Sequence, residues 1–455
     1  MTWIAAKTKK GLGVSVTLGL LMTLLSGPAQ AMTLSEALER AIEHDPAIPL
    51  AIATYEAEKE LGTQVSGTLM PTVTLDGTAT YNDNESESDF FGTFEESYEG
   101  YGAGISVRQP LLRFDWFARG RQADALDAQA EAGVVDRKMR FFVRVVERYF
   151  GVLLAQDELK QAKAEAQAIG ESLSDTQKRH EVGLVPGTDL KEAQARNDLA
   201  EAQLILARQQ LSSAQDALDE STGSGYVRLP ELPASAPLPP LDPADVDIWV
   251  KKVQARNPNI LLANEKVAVA EAESRTASSD LLPTVDAVAS YRHNDNSESR
   301  IGSESDEGRL GLELNVPIYQ GGVKRARSRE AAARMRAAQA DRDRIVMETV
   351  RQTRQQFREL QAAYAQERAL KLAVTSAEAA EEATRNGYQA GTRTITDVLN
   401  ARSALISARR DYSQTRYNLL LSLLQLKQLS AELSEKDFET IDRLLQMPAE
   451  VKTEE

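Results

Sequence analysis

Apolar and polar residues alternate strictly between Thr72 and Tyr81, with Val73, Leu75, Gly77, Ala79 and Tyr81 on one face and Thr72, Thr74, Asp76, Thr78 and Thr80 on the other. A period of two predicts a strand with a single apolar side. The alternation returns as Tyr101, Ala103, Ile105 and Val107 against Gly102, Gly104, Ser106 and Arg108, after an acidic, Ser-rich stretch from Asn82 to Glu96 that reads as a loop. Two more strands follow downstream: Val285, Ala287, Ala289 and Tyr291 oppose Thr284, Asp286, Ser290 and Arg292, and Leu310, Leu312, Leu314 and Val316 oppose Arg309, Gly311, Glu313 and Asn315. Val288 is the one clear breach. Outside these hairpins the period is helical. From about Asp115 to Arg179 and from about Val323 to Asn386 the chain has no proline and few glycines, so each stretch predicts a rod of ~100 Å. The returning segments carry a heptad seam, Leu190, Asn197, Leu204, Leu211 and Leu218 in the first and Val398, Leu405, Tyr412, Leu419 and Leu426 in the second. Small residues, such as Ala193 and Ala200 or Ala401 and Ala408, stand three positions later, and this layering lets helices approach closely and supercoil.

The whole pattern occurs twice. Gly183–Ala193 and Gly391–Ala401 lie 208 residues apart, Pro46 and Pro258 lie 212 apart, as do Pro71 and Pro283, and Pro110 and Pro317 lie 207 apart. Such constant offsets identify an internal repeat. Each copy of the turn places a Gly where the incoming helix must end in a left-handed conformation, and a Thr-Asp pair as cap and first-turn acid of the next helix. The expected layout is a signal peptide (1–31) and a first repeat (32–221) of helix, β-hairpin (70–112) and long coiled-coil hairpin (115–221). A Pro-rich linker (222–245) leads to a second repeat (246–432) with β-hairpin 282–319 and coiled-coil hairpin 322–432, then a short capped helix and tail (433–455). The fold class is mainly α with a membrane β part, a duplicated α-β-hairpin-α unit.

Composition narrows the function. Lys7, Lys9 and Lys10, the apolar run Gly11–Ser26 and Ala29-Gln30-Ala31 form a secretory signal, whose removal takes the net charge from −15 to −18. So acidic a chain disfavours nucleic acid as a partner. With no Cys there is no disulfide, thiolate metal site or lipidated N-terminal Cys. His44, His180 and His293 sit in three separate segments, and no nucleophile, phosphate or metal motif is present, so no enzyme activity, metal or cofactor is expected. Each strand has about the ~9–11 residues that a tilted strand needs to cross a bilayer. Four strands cannot close a barrel, and open edges in lipid leave backbone groups without partners, so three chains forming twelve strands are expected. The alternative, soluble hairpins packed on helices, leaves unexplained the apolar faces flanked by Phe114, Trp116, Phe117 and Tyr319, which suit an interfacial girdle.

In this order of elements the chain resembles the TolC family of outer-membrane channel proteins. The likeness is most specific at Tyr388-Gln389-Ala390-Gly391-Thr392-Arg393-Thr394-Ile395-Thr396-Asp397-Val398-Leu399, and includes Val316–Gly322 and Leu433–Phe438. The resemblance implies a homotrimer in the outer membrane of a Gram-negative bacterium, with a twelve-stranded β-barrel continued by a twelve-helix coiled-coil tunnel in the periplasm. It implies a passive exit duct for drug efflux and type I protein secretion, opened by a periplasmic adaptor and an inner-membrane transporter, either a proton-driven pump or an ABC transporter. The tunnel mouth would be closed by bonds between the hairpins of neighbouring coils, Asp189 with Tyr388 and Thr188 with Arg393. A constriction ring would come from Asp397, three copies of which raise one another's proton affinity and favour bound cations. Where the family has a second aspartate one turn further, this chain has Asn400. Val182, Gly183 and Leu184, with Ala390, Gly391 and Thr392, match the adaptor-docking positions. On the residues alone, Asp189 and Asp397 read equally well as first-turn acids worth ~0.3–1 kcal/mol each, Arg393 as solvated and Tyr388 as packing. The rival reading is a periplasmic adaptor joining a pump to the outer membrane, which would need one coiled-coil hairpin and lipoyl-like β-segments.

Overall fold

The computed structural model describes residues 31–88, 92–223, 229–296, 299 and 302–446; nearly all of the expected signal segment and the C-terminal tail lie outside the described residues. In chain order the elements are α1 (Leu34–His44), α2 (Ala47–Gly67), β1 (Thr72–Ser88), β2 (Gly92–Leu112), α3 (Trp116–Glu181) and α4 (Gly187–Thr222). They continue as α5 (Val246–Arg256), α6 (Pro258–Ser279), β3 (Thr284–Asn296), β4 (Ser303–Asn315), α7 (Val323–Gln389), α8 (Ile395–Leu429) and α9 (Glu435–Leu445). The prolines punctuate both halves alike: Asp45-Pro46 parts α1 from α2, and Asn257-Pro258 parts α5 from α6. Asn257 caps α6 by accepting from the backbone N–H groups of Asn259 and Ile260, with Pro258 at the first helical position where no N–H is needed.

The four strands form one antiparallel sheet in the order β1-β2-β3-β4. Its register aligns the apolar face across every strand: Val73 pairs with Val107, Val107 with Ala289, and Ala289 with Leu310. That face is bare in the single chain, with Leu75 82% and Leu310 85% exposed. Val288, the breach in the alternation, lies between Arg108 and Gly311 on the polar face. On this face Asp76 and Arg292 flank Gly104 in register and meet over it at 3.2 Å. A Cβ on Gly104 would stand 3.1 Å from the Asp76 carboxylate oxygens.

One expectation is corrected. The stretch from Asn82 to Glu96 is largely not a loop, because β1 and β2 stay paired out to Ser88 and Gly92. Ladder hydrogen bonds come from the backbone and continue past the apolar band whatever the side chains. The two strands therefore reach 17 and 21 residues, longer than a bilayer crossing requires.

The long helices α3 and α7 have 66 and 67 residues, and each folds back along its returning partner, α4 or α8. Small residues line the first contact, where Ala162, Ala166, Ala200, Leu204 and Ala207 form a buried cluster. The main core lies midway along the rods, where α1, the middle of α3, the end of α8 and α9 bury Leu34, Phe141, Val145, Tyr149, Phe150, Tyr417, Leu420 and Phe438. The two ends of the described chain are tied together there, since the Asp442 carboxylate accepts from the backbone N–H of Leu34 at 2.7 Å and of Ser35 at 3.1 Å. The strap before α5 is held by its carbonyls. Arg416 donates to Pro233 O at 2.7 Å and Ala236 O at 2.9 Å, and the Trp249 indole donates to Pro243 O at 2.8 Å.

Candidate functional site

The two hairpin tips lie together at the end of the rods far from the sheet. Both incoming helices end by the same device. Gly183 and Gly391 take left-handed φ of 75° and 76°, and the next N–H reaches back five residues, Leu184 to Arg179 O and Thr392 to Gly387 O, at 2.8 Å each. This Schellman closure satisfies carbonyls that the helix end would otherwise leave open. The outgoing helices start differently. At the second tip Thr394 is the cap, in place of Thr396 of the expected Thr-Asp pair, which lies inside the first turn. The Thr394 hydroxyl accepts from the Asp397 N–H at 3.2 Å, while Asp397 Oδ2 accepts from the Thr394 N–H at 3.0 Å. At the first tip Pro186 occupies the cap position and offers no side-chain bond. Thr188, expected as a cap, instead lies inside the first turn and donates to its neighbour Asp189 at 3.3 Å.

Within one chain neither expected lock pair forms: Tyr388 shares no hydrogen bond with Asp189, nor Thr188 with Arg393. The Arg393 stem packs on Gly387, where an added Cβ would stand 2.8 Å from its Cγ, and its guanidinium makes no ion pair among the described residues. The Tyr388 ring lies under the Arg179 guanidinium, 5.0 Å from the ring centroid. Arg179 is itself paired with Asp175 at 3.0 Å. Desolvation pushes the Tyr388 hydroxyl above its usual pKa, Arg179 opposes this, and Asp175 and Asp189 reinforce it. The Asp397 carboxyl is held below the ordinary carboxylate range, chiefly by the Thr394 N–H and then by its hydroxyl. In the single chain its stabilising partner is therefore its own cap. Among the docking candidates, Gly183, Ala390, Gly391 and Thr392 are exposed, and Val182 and Leu184 present bare apolar side chains, 69% and 74% exposed.

The two tips are joined by residues outside the expected lock. Arg196 on α4 donates to Asn400 Oδ1 on α8 at 2.9 Å, and Thr396 on α8 donates to Glu192 on α4 at 3.2 Å. Glu192 and Arg196 pair with each other at 3.3 Å, which closes a four-residue polar clasp across the two returning helices. Asn400, expected at the constriction, is thus an acceptor inside this clasp. Both bonds span 204 residues, one helical turn less than the 208 between the tips. A polar pair at the repeat offset less four is the signal that would have found them. Directly above lies a cavity of about 190 Å³, lined by Glu165, Ile169, Arg196, Leu199, Leu399 and Arg402 among others. Burial raises the Glu165 pKa there, and Arg410 and Arg402 oppose the shift.

Residues 37–224 and 249–432 match the family model described as outer membrane efflux protein. The chain belongs to this family. This outer membrane efflux protein is 33% identical to the outer membrane protein TolC of Vibrio cholerae, over 93% of the chain and 95% of that protein. It is 31% identical to the alkaline protease secretion protein AprF of Pseudomonas aeruginosa, over 93% and 89%. Among solved structures, the outer membrane protein VceC of V. cholerae superposes with a TM-score of 0.75 at 19% identity, covering 87% of this chain and 96% of that one. The CmeC outer membrane channel of Campylobacter jejuni superposes with a TM-score of 0.77 at 14% identity, over 96% and 97%. The outer membrane efflux protein is a channel of the Gram-negative outer membrane with a periplasmic extension, serving efflux or secretion, and not an enzyme.

Proposed function

We propose that three copies of this outer membrane efflux protein join their four-stranded sheets into a twelve-stranded barrel, continued by a twelve-helix tunnel. The trimer is a passive duct, opened at its tips by a periplasmic adaptor and an inner-membrane transporter. The observation that carries this reading is the sheet itself, with an apolar exposed face and with β1 and β4 as unpaired edges. About half the backbone groups of each edge strand point away from the sheet, a dozen or so on the 13-residue β4. At several kcal/mol per unsatisfied group in lipid, the two edges exceed by far the ~5–15 kcal/mol that stabilises a typical fold. Pairing with other copies removes the penalty. The purified protein should run as a heat-resistant trimer on a gel in detergent and conduct in planar bilayers; a stable monomer in detergent would overturn the reading.

In the trimer, Asp189 and Tyr388, and Thr188 and Arg393, hold the mouth closed across neighbouring coils. Three Asp397 side chains converge as the constriction ring, with Asn400 beside them. The exposed Val182 and Leu184 of the first tip, with Gly183, and Ala390, Gly391 and Thr392 of the second, receive the adaptor. Kinship with TolC and with a protease secretion protein supports use by an efflux pump, a type I secretion transporter, or both. Replacing Asp189 or Arg393 by Ala should raise bilayer conductance, and unchanged conductance in both variants would count against the lock.

A further inference from the structure

The chain carries a net charge of −15, yet Val323–Arg336, the first fourteen residues of α7, hold six basic residues and one acid. This segment follows directly on the lipid-facing hairpin. After β4 ends at Asn315, Val316, Ile318 and Tyr319, which are 49%, 94% and 84% exposed, lead into it. Two of its cations have partners: Lys324 donates to Asp280 O at 2.7 Å, and Arg334 pairs with Glu330 at 2.6 Å. Arg325, Arg327 and Arg329 are exposed and form no ion pair among the described residues. At 1.5 Å per residue all three lie within ~10 Å of the start of the helix, about one Debye length at physiological ionic strength.

Local electrostatics oppose this arrangement. Helices α1, α5 and α8 open on a side-chain cap followed by a first-turn acid, Glu36, Asp247 or Asp397. Helix α7 opens on Gly322 with no side-chain cap and no acid, and places cations where the macrodipole disfavours them. The opposite end of the sheet has the reverse charge, with Asp83, Glu85, Glu99, Glu304 and Asp306 on the far strand ends. The second hairpin is therefore acidic beyond its apolar band at one end and leads into cations at the other.

We propose that Arg325 and Arg329, one turn apart on a single face of α7, form a basic collar in each copy that binds anionic glycerophospholipid headgroups of the periplasmic leaflet of the outer membrane. The stems lie along acyl chains already met by Ile318 and Tyr319, and the guanidiniums reach the phosphates, which they can bind with two parallel hydrogen bonds. The collar adds a lipid-class preference to a surface that otherwise recognises only hydrocarbon.

The test uses the full trimer purified in detergent, offered dioleoyl phosphatidylglycerol or dioleoyl phosphatidylcholine, with retained lipid counted by native mass spectrometry. The wild type should retain phosphatidylglycerol preferentially at low salt and lose the preference at high salt. Arg325→Gln should lower the relative retention about fivefold, and Arg325→Gln/Arg329→Gln should abolish the preference while the trimer still persists on a detergent gel. Glutamine keeps helix propensity, so the fold is preserved. No preference in the wild type, or one that survives the double substitution, overturns the collar. Loss of trimer stability in phosphatidylcholine alone, with no lipid effect, would assign the cations to acids of a neighbouring copy and also overturn it.

Discussion

Arg196→Ala is the substitution that most directly tests how the two returning helices are held together. It removes the guanidinium that donates to Asn400 at 2.9 Å and leaves Glu192, the acceptor of Thr396, without its ion-pair partner. A charge-assisted hydrogen bond is worth ~1.5–3 kcal/mol in a favourable setting. Here the Arg196 and Glu192 side chains are 29% and 45% exposed, so solvent screening brings the figure down to about 1 kcal/mol per chain. Three clasps opening together in a trimer sum to ~3 kcal/mol, or ~10²-fold in the ratio of open to closed mouths. Single-channel recording in planar bilayers reads that ratio. Arg196→Lys keeps the charge but loses the planar fork and should fall between wild type and Ala. Asn400→Asp turns the bond into an ion pair and should tighten the mouth. Arg196→Ala/Asn400→Ala should leak no more than Arg196→Ala, because the two side chains act through one bond. If Arg196→Ala behaves as wild type while Arg393→Ala leaks, the clasp plays no part in closure although the tip lock does.

Three further outcomes follow from the same geometry. Asp157 on α3 accepts from the Tyr417 hydroxyl at 3.2 Å, and burial pushes its pKa up to about 6. This lies above the ~3.9 of an unfolded aspartate, so the native state binds the extra proton between those values and stability falls as pH rises through the window. Asp157→Asn should therefore raise the thermal midpoint at pH 7.5 but hardly at pH 4.5; an equal gain at both would refute the burial argument. Thr394→Ala deletes the cap of α8 and should cost about 1 kcal/mol, seen as faster amide exchange in the first turn of α8. Because the Asp397 pKa is lowered, its contribution is complete above the unfolded carboxylate pKa and fades as pH falls below it through the lowered value, so the effect of Thr394→Ala should shrink on acidification. Gly391→Val forces a β-branched residue to φ 76° with nothing within 4 Å of the new Cβ. Its cost of ~1–2 kcal/mol is purely conformational, and a melting temperature equal to wild type would contradict that.

The parts of this channel that are legible in its sequence are those that a local period encodes. Alternation at Val73–Tyr81 and Leu310–Val316 marks strands because one face must be apolar along the whole element. Gly183 and Gly391 mark tips because a left-handed residue is needed there whatever surrounds it. What escapes is anything that depends on how separate helices cross. Arg196 meets Asn400, whose own equivalent in the first repeat is Glu192, so the clasp pairs positions one turn short of the repeat offset and an alignment of the two copies at 208 passes over it. The ladder from Asn82 to Ser88 escapes for a related reason, since its hydrogen bonds are backbone bonds that polar side chains do not reveal. The tips carry the further lesson. Pro186 stands where Thr394 stands in the second copy, so one outgoing helix begins uncapped and the other begins in a closed box. The exposed Val182 and Leu184 lie beside the uncapped start. Glu192 and Asn400 are equivalent positions of the two repeats that carry different side chains, and the clasp of Glu192, Arg196, Thr396 and Asn400 is built from that difference.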